Sequence, residues 1–246
     1  MRPYPTPALL VLLVLLAVSA CAPGSAERAS VPTPPATPTG TPVTPPPPRT
    51  GDPTAGLVRA VAAHDLAGVQ AVLPHGTDLE VRDGDGRTPL LLATRAGDTE
   101  IALALLEAGA DPDARDVIED SAFLYAGAEG LTEILAATIA HGADVASTNR
   151  FGGTALIPAS EHAHLDNVAL LIEAGVPVDH VNDLGWTALL EAVVLGDGGP
   201  DHVEVVRRLL AAGADPTIRD RDGVAPRDLA AAAGQVEVVA ELDRAR

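Results

Sequence analysis

The chain has no lysine: all 16 of its basic residues are arginine, set against 34 aspartates and glutamates in 246 residues. The formal net charge of −18 makes contact with nucleic acid or anionic lipid electrostatically unfavourable. Aromatic residues are only 2% of the chain, so base stacking has little support and any core must be aliphatic. The composition therefore predicts that nucleic acid is not a partner.

Cysteine is almost absent as well, because Cys21 is the single one, and this excludes an internal disulfide. The chain also lacks a nucleophile elbow, a P-loop, a dinucleotide fingerprint and a zinc motif. His162 and His164 are two residues apart and do not share a helical face, and the acidic turn at Asp83 lacks the later ligand of a calcium loop. We predict a protein that is not an enzyme, with no cofactor and no metal site.

The N-terminus has the features of a targeting segment. Arg2 precedes an apolar run at residues 8–18, which is too short for a transmembrane helix and leads directly into Val18-Ser19-Ala20-Cys21. This stretch resembles the lipobox of bacterial lipoproteins, in which the cysteine is lipidated, for example with palmitate, and becomes the mature N-terminus. Residues 1–20 are then the signal peptide. Ordinary signal cleavage nearby and an uncleaved anchor are the alternatives.

Proline and threonine dominate the next segment, residues 21–53, in which large apolar side chains are rare. Such a segment cannot bury enough surface to fold, and its prolines favour an extended polyproline conformation. We expect a disordered linker between the lipidated Cys21 and a folded domain. The resemblance thus implies an exported protein, anchored by lipid on the extracytoplasmic side of the cell membrane.

A repeat of 33 residues organises the remainder of the chain. Thr88 is followed at this step by Ser121, Thr154 and Thr187, and Gly109 is followed by Gly142 and Gly175. A period of this length is typical of stacked arrays rather than of one globular core. Each unit holds two apolar stripes at helical spacing, so neighbouring units must cover what one unit leaves exposed.

These units resemble the ankyrin repeat, through GRTPLLLA, GGTALIPA, GWTALLEA and GVAPRDLA and through the later EAGADPDAR and AAGADPTIR. The resemblance implies an all-α ankyrin solenoid, monomeric, of helix-turn-helix units with β-hairpin turns, over residues 54–246. We divide it into about six repeats: 54–82, 83–115, 116–148, 149–181, 182–219 and 220–246.

Several positions depart from the ankyrin pattern. Pro158 lies within a first helix and is expected to distort it. The third repeat has Glu119 where its neighbours have the turn glycine, which puts that turn in doubt. The fifth repeat carries five extra residues, which we place at 196–200, between its two helices.

The resemblance implies a non-enzymatic scaffold that binds a protein partner through its hairpin tips and first helices. Apolar side chains at those positions gather in the fourth and fifth repeats, and Trp and Arg are typical of interface hot spots. Trp186, the single tryptophan, is predicted either to face the partner or to pack on its own hairpin. A metal- or small-ligand-binding accessory of an exported enzyme is the alternative function. The predicted partner-binding residues are Arg150, Phe151, Asp183, Leu184, Trp186, Val194 and Leu195.

Overall fold

Hydroxyl side chains fix where the first helix of a repeat begins. Thr88, Ser121 and Thr187 have extended backbones, and their hydroxyl oxygens accept a hydrogen bond from the N–H three residues later, at 3.3, 3.3 and 3.2 Å. Each bond satisfies one of the helix N-terminal N–H groups that have no partner within the helix. The repeated hydroxyl in the sequence thus sets the phase of the array.

The computed structural model describes residues 52–245, which all lie in one contact unit, Thr50–Arg246. Within the described residues there are twelve α-helices, which pair in chain order so that each predicted repeat holds a first and a second helix. A short 3₁₀ turn, Leu73–His75, continues the second of these helices. The helices are α1 Pro53–Ala62, α2 Leu66–Val72, α3 Pro89–Ala96, α4 Thr99–Glu107, α5 Ala122–Ala128, α6 Thr132–Ala140, α7 Leu156–Glu161, α8 Leu165–Glu173, α9 Ala188–Val194, α10 Pro200–Ala211, α11 Pro226–Ala232 and α12 Val236–Arg244.

The core repeats with the sequence. At one position of the first helices lie large side chains that are at most 1% exposed, and three residues later lie alanines that are fully buried. The alanines permit close approach of neighbouring helices, and the large residues fill the space between repeats. The positions are Leu90, Phe123, Leu156 and Leu189, followed by Ala93, Ala126, Ala159 and Ala192.

The turns between repeats are small hairpins that form no strand within residues 52–245. Each closes on itself, as Asn149 N–H does on Gly153 O at 2.9 Å, and single bonds join neighbouring turns. Val117 N–H donates to Asp85 O at 3.0 Å. The predicted all-α solenoid of stacked helix pairs is confirmed. In the described part of the chain, no helix is long and apolar enough to cross a membrane. The predicted signal peptide, Cys21 and almost all of the linker lie outside the described residues.

Pro158 distorts the start of its helix, in line with the expected distortion. In other repeats the N–H four residues after the cap donates to the cap carbonyl, for example Leu92 N–H to Thr88 O at 2.9 Å. Pro158 has no N–H to donate at this position, so Ile157 N–H bonds to Thr154 O instead, at 3.1 Å. The Thr154 hydroxyl is buried without a partner, and α7 has six residues where the first helices of the other repeats from the second onward have seven or eight.

The sequence suggested that all five extra residues of the fifth repeat lie between its two helices, and this is wrong in part. Part of the insertion lengthens α10, which has 12 residues where α4, α6 and α8 have nine. The rest lengthens the loop at 195–199. Gly196 is required there, because a Cβ atom would come within 2.1 Å of Ala192 O and 2.5 Å of the His202 ring.

Glu119 forms the turn that its sequence put in doubt. Its N–H donates to Asp116 O at 3.1 Å, just as Gly86 N–H donates to Asp83 O at 3.0 Å. The backbone of Glu119 is left-handed, with φ of 65°, where the equivalent Gly152 has 67°. A left-handed residue with a Cβ costs roughly 1 to 2 kcal/mol, so this hairpin stores strain that its neighbours do not.

We expect Glu119→Gly to raise the melting temperature, because relief of this strain exceeds the entropy that glycine loses on folding. The net gain should be about 0.5 to 1 kcal/mol in the free energy of unfolding, measured by chemical denaturation. Gly152→Ala is the opposing control, since its Cβ would meet the Asp183 carboxylate at 2.9 Å. A lower stability in Glu119→Gly would show that the side chain, rather than the backbone, governs this turn.

Candidate interaction surface

A row of exposed apolar side chains crosses the hairpin tips of three successive repeats. Ile118, Phe151 and Leu184 are 33 residues apart and are 41%, 43% and 44% exposed. At the same position the second repeat has Asp85 and the sixth repeat has Asp222, and both are exposed. We call Ile118, Phe151 and Leu184 the tip row. The apolar residues at this position occur in the third, fourth and fifth repeats, with an acidic residue on either side. They therefore form a bounded, exposed apolar surface.

Two charged residues of the predicted site, Arg150 and Asp183, contact Phe151 of this row. Arg150 is exposed and lies over the Phe151 ring, with the guanidinium carbon 4.6 Å from the ring centroid. Asp183 N–H donates to Phe151 O at 2.9 Å, and Asp183 O accepts a hydrogen bond from the Arg221 guanidinium. The structure therefore places Arg150, Phe151, Asp183 and Leu184 together at two neighbouring tips. The Arg150 cation holds the aromatic face in place through its attraction to the ring.

The other three predicted residues are less accessible. Trp186 is partly buried, and both its N–H and its C=O bond to Asn182, at 3.0 Å each. Val194 and Leu195 are also partly buried and lie where α9 ends. These three residues therefore present less apolar surface to a partner than Phe151 and Leu184 do.

A cavity of about 150 Å³ adjoins the tip row between the third and fourth repeats. Tyr125 lines it, with the Arg95 guanidinium carbon 4.6 Å from the ring centroid, and Arg95 also reaches Asp120 at 3.4 Å. Burial raises the pKa of Asp120 and of Tyr125. Pro158, on α7, also lines it. The full lining is Asp120, Leu124, Tyr125, Ala128, Glu129, Asn149, Arg150, Phe151, Ala155 and Pro158.

Glu191 is a buried acid that sequence reasoning missed. It lies in the first turn of α9 and is 5% exposed, and its Oε1 accepts a hydrogen bond from Asn182 Nδ2 at 2.8 Å. Burial is the main cause that raises its pKa to about 8; the charge of Glu161 adds to the rise and the Asn182 bond opposes it. The sequence contained one signal for this buried acid. Glu191 occupies the repeat position at which the second, third and fourth repeats have Leu92, Tyr125 and Pro158.

Histidines do not form a metal site within residues 52–245, where no three His, Cys, Asp or Glu side chains come together in a suitable way. The His162 and His164 rings are 5.7 Å apart. Burial is the main cause that lowers the pKa of His164, and the neighbouring His162 lowers it further. His164 lines a second, open cavity of about 340 Å³ with Thr132 and Asn167. Asn167 is fully buried and accepts from the Thr132 hydroxyl at 2.8 Å, which fixes the connection between repeats.

Stacked helix pairs with exposed side chains at the turns define a solenoid of the interaction-domain class. A family description of three ankyrin repeats matches residues 123–220, and that of the single ankyrin repeat matches 85–117. No curated protein sequence matches. The chain belongs to the ankyrin repeat family, whose members are generally protein–protein interaction domains and typically non-enzymatic.

Solved structures agree with this assignment. An ankyrin repeat domain from Acinetobacter baumannii is 49% identical, with a TM-score of 0.75 over 77% of this chain and 96% of that one. The ankyrin repeat protein EF0377 is 41% identical, with a TM-score of 0.75 over 78% and 98%. The ankyrin repeat domain of Bcl-3, a member of the IkappaB family, is 27% identical, with a TM-score of 0.69 over 77% and 85%.

The raised pKa of Glu191 predicts how stability depends on pH. Between about pH 4.5 and pH 8 the folded chain holds a proton on Glu191 that the unfolded chain has released, so this contribution to stability falls as pH rises. Glu191→Gln keeps the hydrogen bond with Asn182 and removes the proton. We expect the stability of the variant relative to the native chain to rise by roughly 1.4 kcal/mol per pH unit near pH 6 to 7.

Urea unfolding at several pH values measures this difference. Glu107→Gln, a change at an exposed position of α4, is the matched control and should leave the slope unchanged. Parallel curves for the native chain and Glu191→Gln across this range would contradict the raised pKa.

Proposed function

We propose that this chain is a non-enzymatic scaffold that binds a protein partner through the tip row and the adjoining inner surface of its central repeats. The single observation that carries the proposal is the tip row, in which three large apolar side chains remain exposed at one position of successive repeats. A residue position that is repeated along a solenoid forms a continuous surface that a partner can cover.

The composition of this surface favours a protein partner. Fully burying a Leu, Ile or Phe side chain contributes about 1.5 to 3 kcal/mol. The three tip residues are 41–44% exposed, so a partner that covers them gains roughly 1 kcal/mol from each. The partly exposed Tyr125 and the exposed Arg150 add the residue types that are enriched in interface hot spots. The cavity of about 150 Å³ beside Phe151 gives such a partner a recess for one side chain.

The proposed site contains the predicted residues and extends them. Arg150, Phe151, Asp183 and Leu184 form its centre, and Ile118 continues the row into the third repeat. Trp186, Val194 and Leu195 are assigned to its less exposed margin. We propose a monomeric chain, since the stability of a solenoid comes from interfaces between neighbouring repeats of the same chain.

We also propose that the scaffold is exported and held at the outer side of the cell membrane through lipid on Cys21. The lone cysteine directly after an apolar run and small residues supports this proposal. At ~3.1 Å per residue, about 30 extended linker residues reach on the order of 90 Å. The linker would thus hold the repeats clear of the lipid surface, where an acidic domain is repelled by anionic headgroups.

Photo-crosslinking in the producing cell tests the interaction surface. A photoreactive amino acid at position 118, 151 or 184 should give one and the same covalent adduct, identified by mass spectrometry. Position 236 is the control, because Val236 is apolar and 70% exposed but lies at the start of α12, away from the tips. Phe151→Ser with Leu184→Ser should weaken binding of the identified partner more than 10-fold, at about 1 kcal/mol for each change.

The outcome that contradicts the site is an adduct that forms equally from position 236, or unrelated adducts from the three tip positions. Loss of binding together with a lower melting temperature of the double variant would indicate a structural role for these side chains instead.

Membrane fractionation tests the anchor. Cys21→Ser should release the protein from the membrane or block its maturation, because stable attachment requires the acyl chains on that sulfur. Cys21→Ala gives a second variant without a thiol and should behave in the same way. A substituted protein that is processed at the same position and stays in the membrane fraction would contradict lipid anchoring.

A further inference from the structure

The fifth hairpin depends on one amide side chain that is itself bound to a buried acid. Asn182 Oδ1 accepts hydrogen bonds from Leu184 N–H and Trp186 N–H, both at 3.0 Å. Asn182 Nδ2 donates to Glu191 Oε1 at 2.8 Å, and Asn182 and Glu191 are 7% and 5% exposed. A chain of hydrogen bonds therefore runs from the carboxyl of Glu191 to the backbone of the hairpin that carries Leu184.

Within residues 52–245, the fifth repeat alone has an acidic residue at the repeat position of Glu191. Asn149 holds the fourth hairpin in the same way, through Phe151 N–H at 2.9 Å and Gly153 N–H at 3.0 Å. The position that corresponds to Glu191 in that repeat is Pro158, and in the second and third repeats it is Leu92 and Tyr125. The amide is thus sufficient to build a hairpin, and the buried carboxyl adds something that the fold itself does not require.

We propose that Glu191 is a proton-sensitive support of the fifth hairpin, whose ionisation loosens the tip that carries Leu184 and Trp186 and so regulates the partner surface. This regulation rests on the proposed function, because it acts on the same surface. It stands on the buried Glu191–Asn182 contact and on the bonds from Asn182 to the tip.

Ionisation changes the forces on Glu191 in a definite direction. A neutral carboxyl is tolerated at 5% exposure, whereas a carboxylate there loses its hydration and is repelled by Glu161 on the adjacent α7. The charged group gains by moving toward water, and Asn182 is bonded to it. Displacement of Asn182 removes the acceptor that Leu184 N–H and Trp186 N–H share, so the hairpin loses two of its internal hydrogen bonds.

Glu161 is the charged group that acts on Glu191 within the described residues. Directly after α7, the charge of His162 lowers the pKa of Glu161, which is raised mainly by burial. From α10, the His202 ring bonds to Glu161 O at 2.9 Å and to Asp197 Oδ1 at 2.9 Å.

Apart from Asp201, the remaining charged groups on the packed helices lie in ion pairs. On α10, Arg208 Nε lies 2.9 Å from Glu204 Oε1, and Arg207 bonds to Glu204 and to Glu241. On α11, Arg227 lies 2.7 Å from Asp243 and 4.0 Å from Asp228. Asp201, in the first turn of α10, is exposed. None of these contacts supplies a cation to Glu191, so loss of its proton leaves a net negative charge under the hairpin.

Trp186 reports on this hairpin directly, because it is the single tryptophan of the chain and bonds to Asn182. We expect its fluorescence, excited at 295 nm in the full chain, to shift to longer wavelength as pH rises, with a midpoint near pH 8. Glu191→Gln should abolish the shift, and Glu107→Gln should retain it. Glu161→Gln removes the repulsion and should move the midpoint to lower pH, which provides a second variant if Glu191→Gln folds poorly.

Emission that stays constant between pH 6.5 and 9.5, or a shift that persists in a folded Glu191→Gln variant, would overturn the proposal. Crosslinking from position 184 at pH 7 and pH 9 then tests the interaction surface separately from the proton-sensitive hairpin. A fluorescence transition without any adduct at either pH would refute the interaction surface and leave the proton-sensitive hairpin intact. A pH-dependent adduct in the native chain that becomes pH-independent in Glu191→Gln would support both.

Discussion

The interface between neighbouring repeats is the interaction on which the rest of the structure depends. One helix pair cannot cover its own apolar face, so stability comes from the stacking of Leu90 against the equivalent residues of the next repeat and from the close approach at Ala93. This requirement explains why those positions are fully buried in repeat after repeat. It also explains why a chain with two phenylalanines and one tryptophan has a continuous core of aliphatic side chains.

The core is formed only by the helix faces that pack against neighbouring repeats. The residues at the hairpin tips can therefore differ from one repeat to the next. Variation there takes two forms. Exposed apolar side chains occupy one tip position in three central repeats, and acidic residues occupy it on either side. Glu119 occupies a position that favours glycine, which shows that the array enforces a hairpin even where the local backbone resists it. The scaffold therefore carries both a surface and some strain without losing its period.

Departures from the repeat pattern cluster around the proposed surface. Pro158 removes a helical hydrogen bond and leaves the Thr154 hydroxyl without a partner, beside a cavity that Phe151 also lines. Glu191 places a carboxyl where neighbouring repeats have apolar side chains, and Asn182 links it to the tip. Buried groups of this kind lower stability, and proteins retain them where a site benefits. Their location in the fourth and fifth repeats supports the assignment of the surface to that part of the solenoid.

The sequence by itself determined the period and the all-α class, because Thr88, Gly109 and most of their equivalents act through contacts a few residues away. It also indicated that Pro158 distorts its helix, since a missing N–H is a local property. The tertiary structure decided which tip residues stay exposed, how the insertion is divided between loop and α10, and that Glu191 lies against Asn182 and near Glu161. These depend on burial and on distances between residues of different repeats, and a pattern along the chain does not contain such distances.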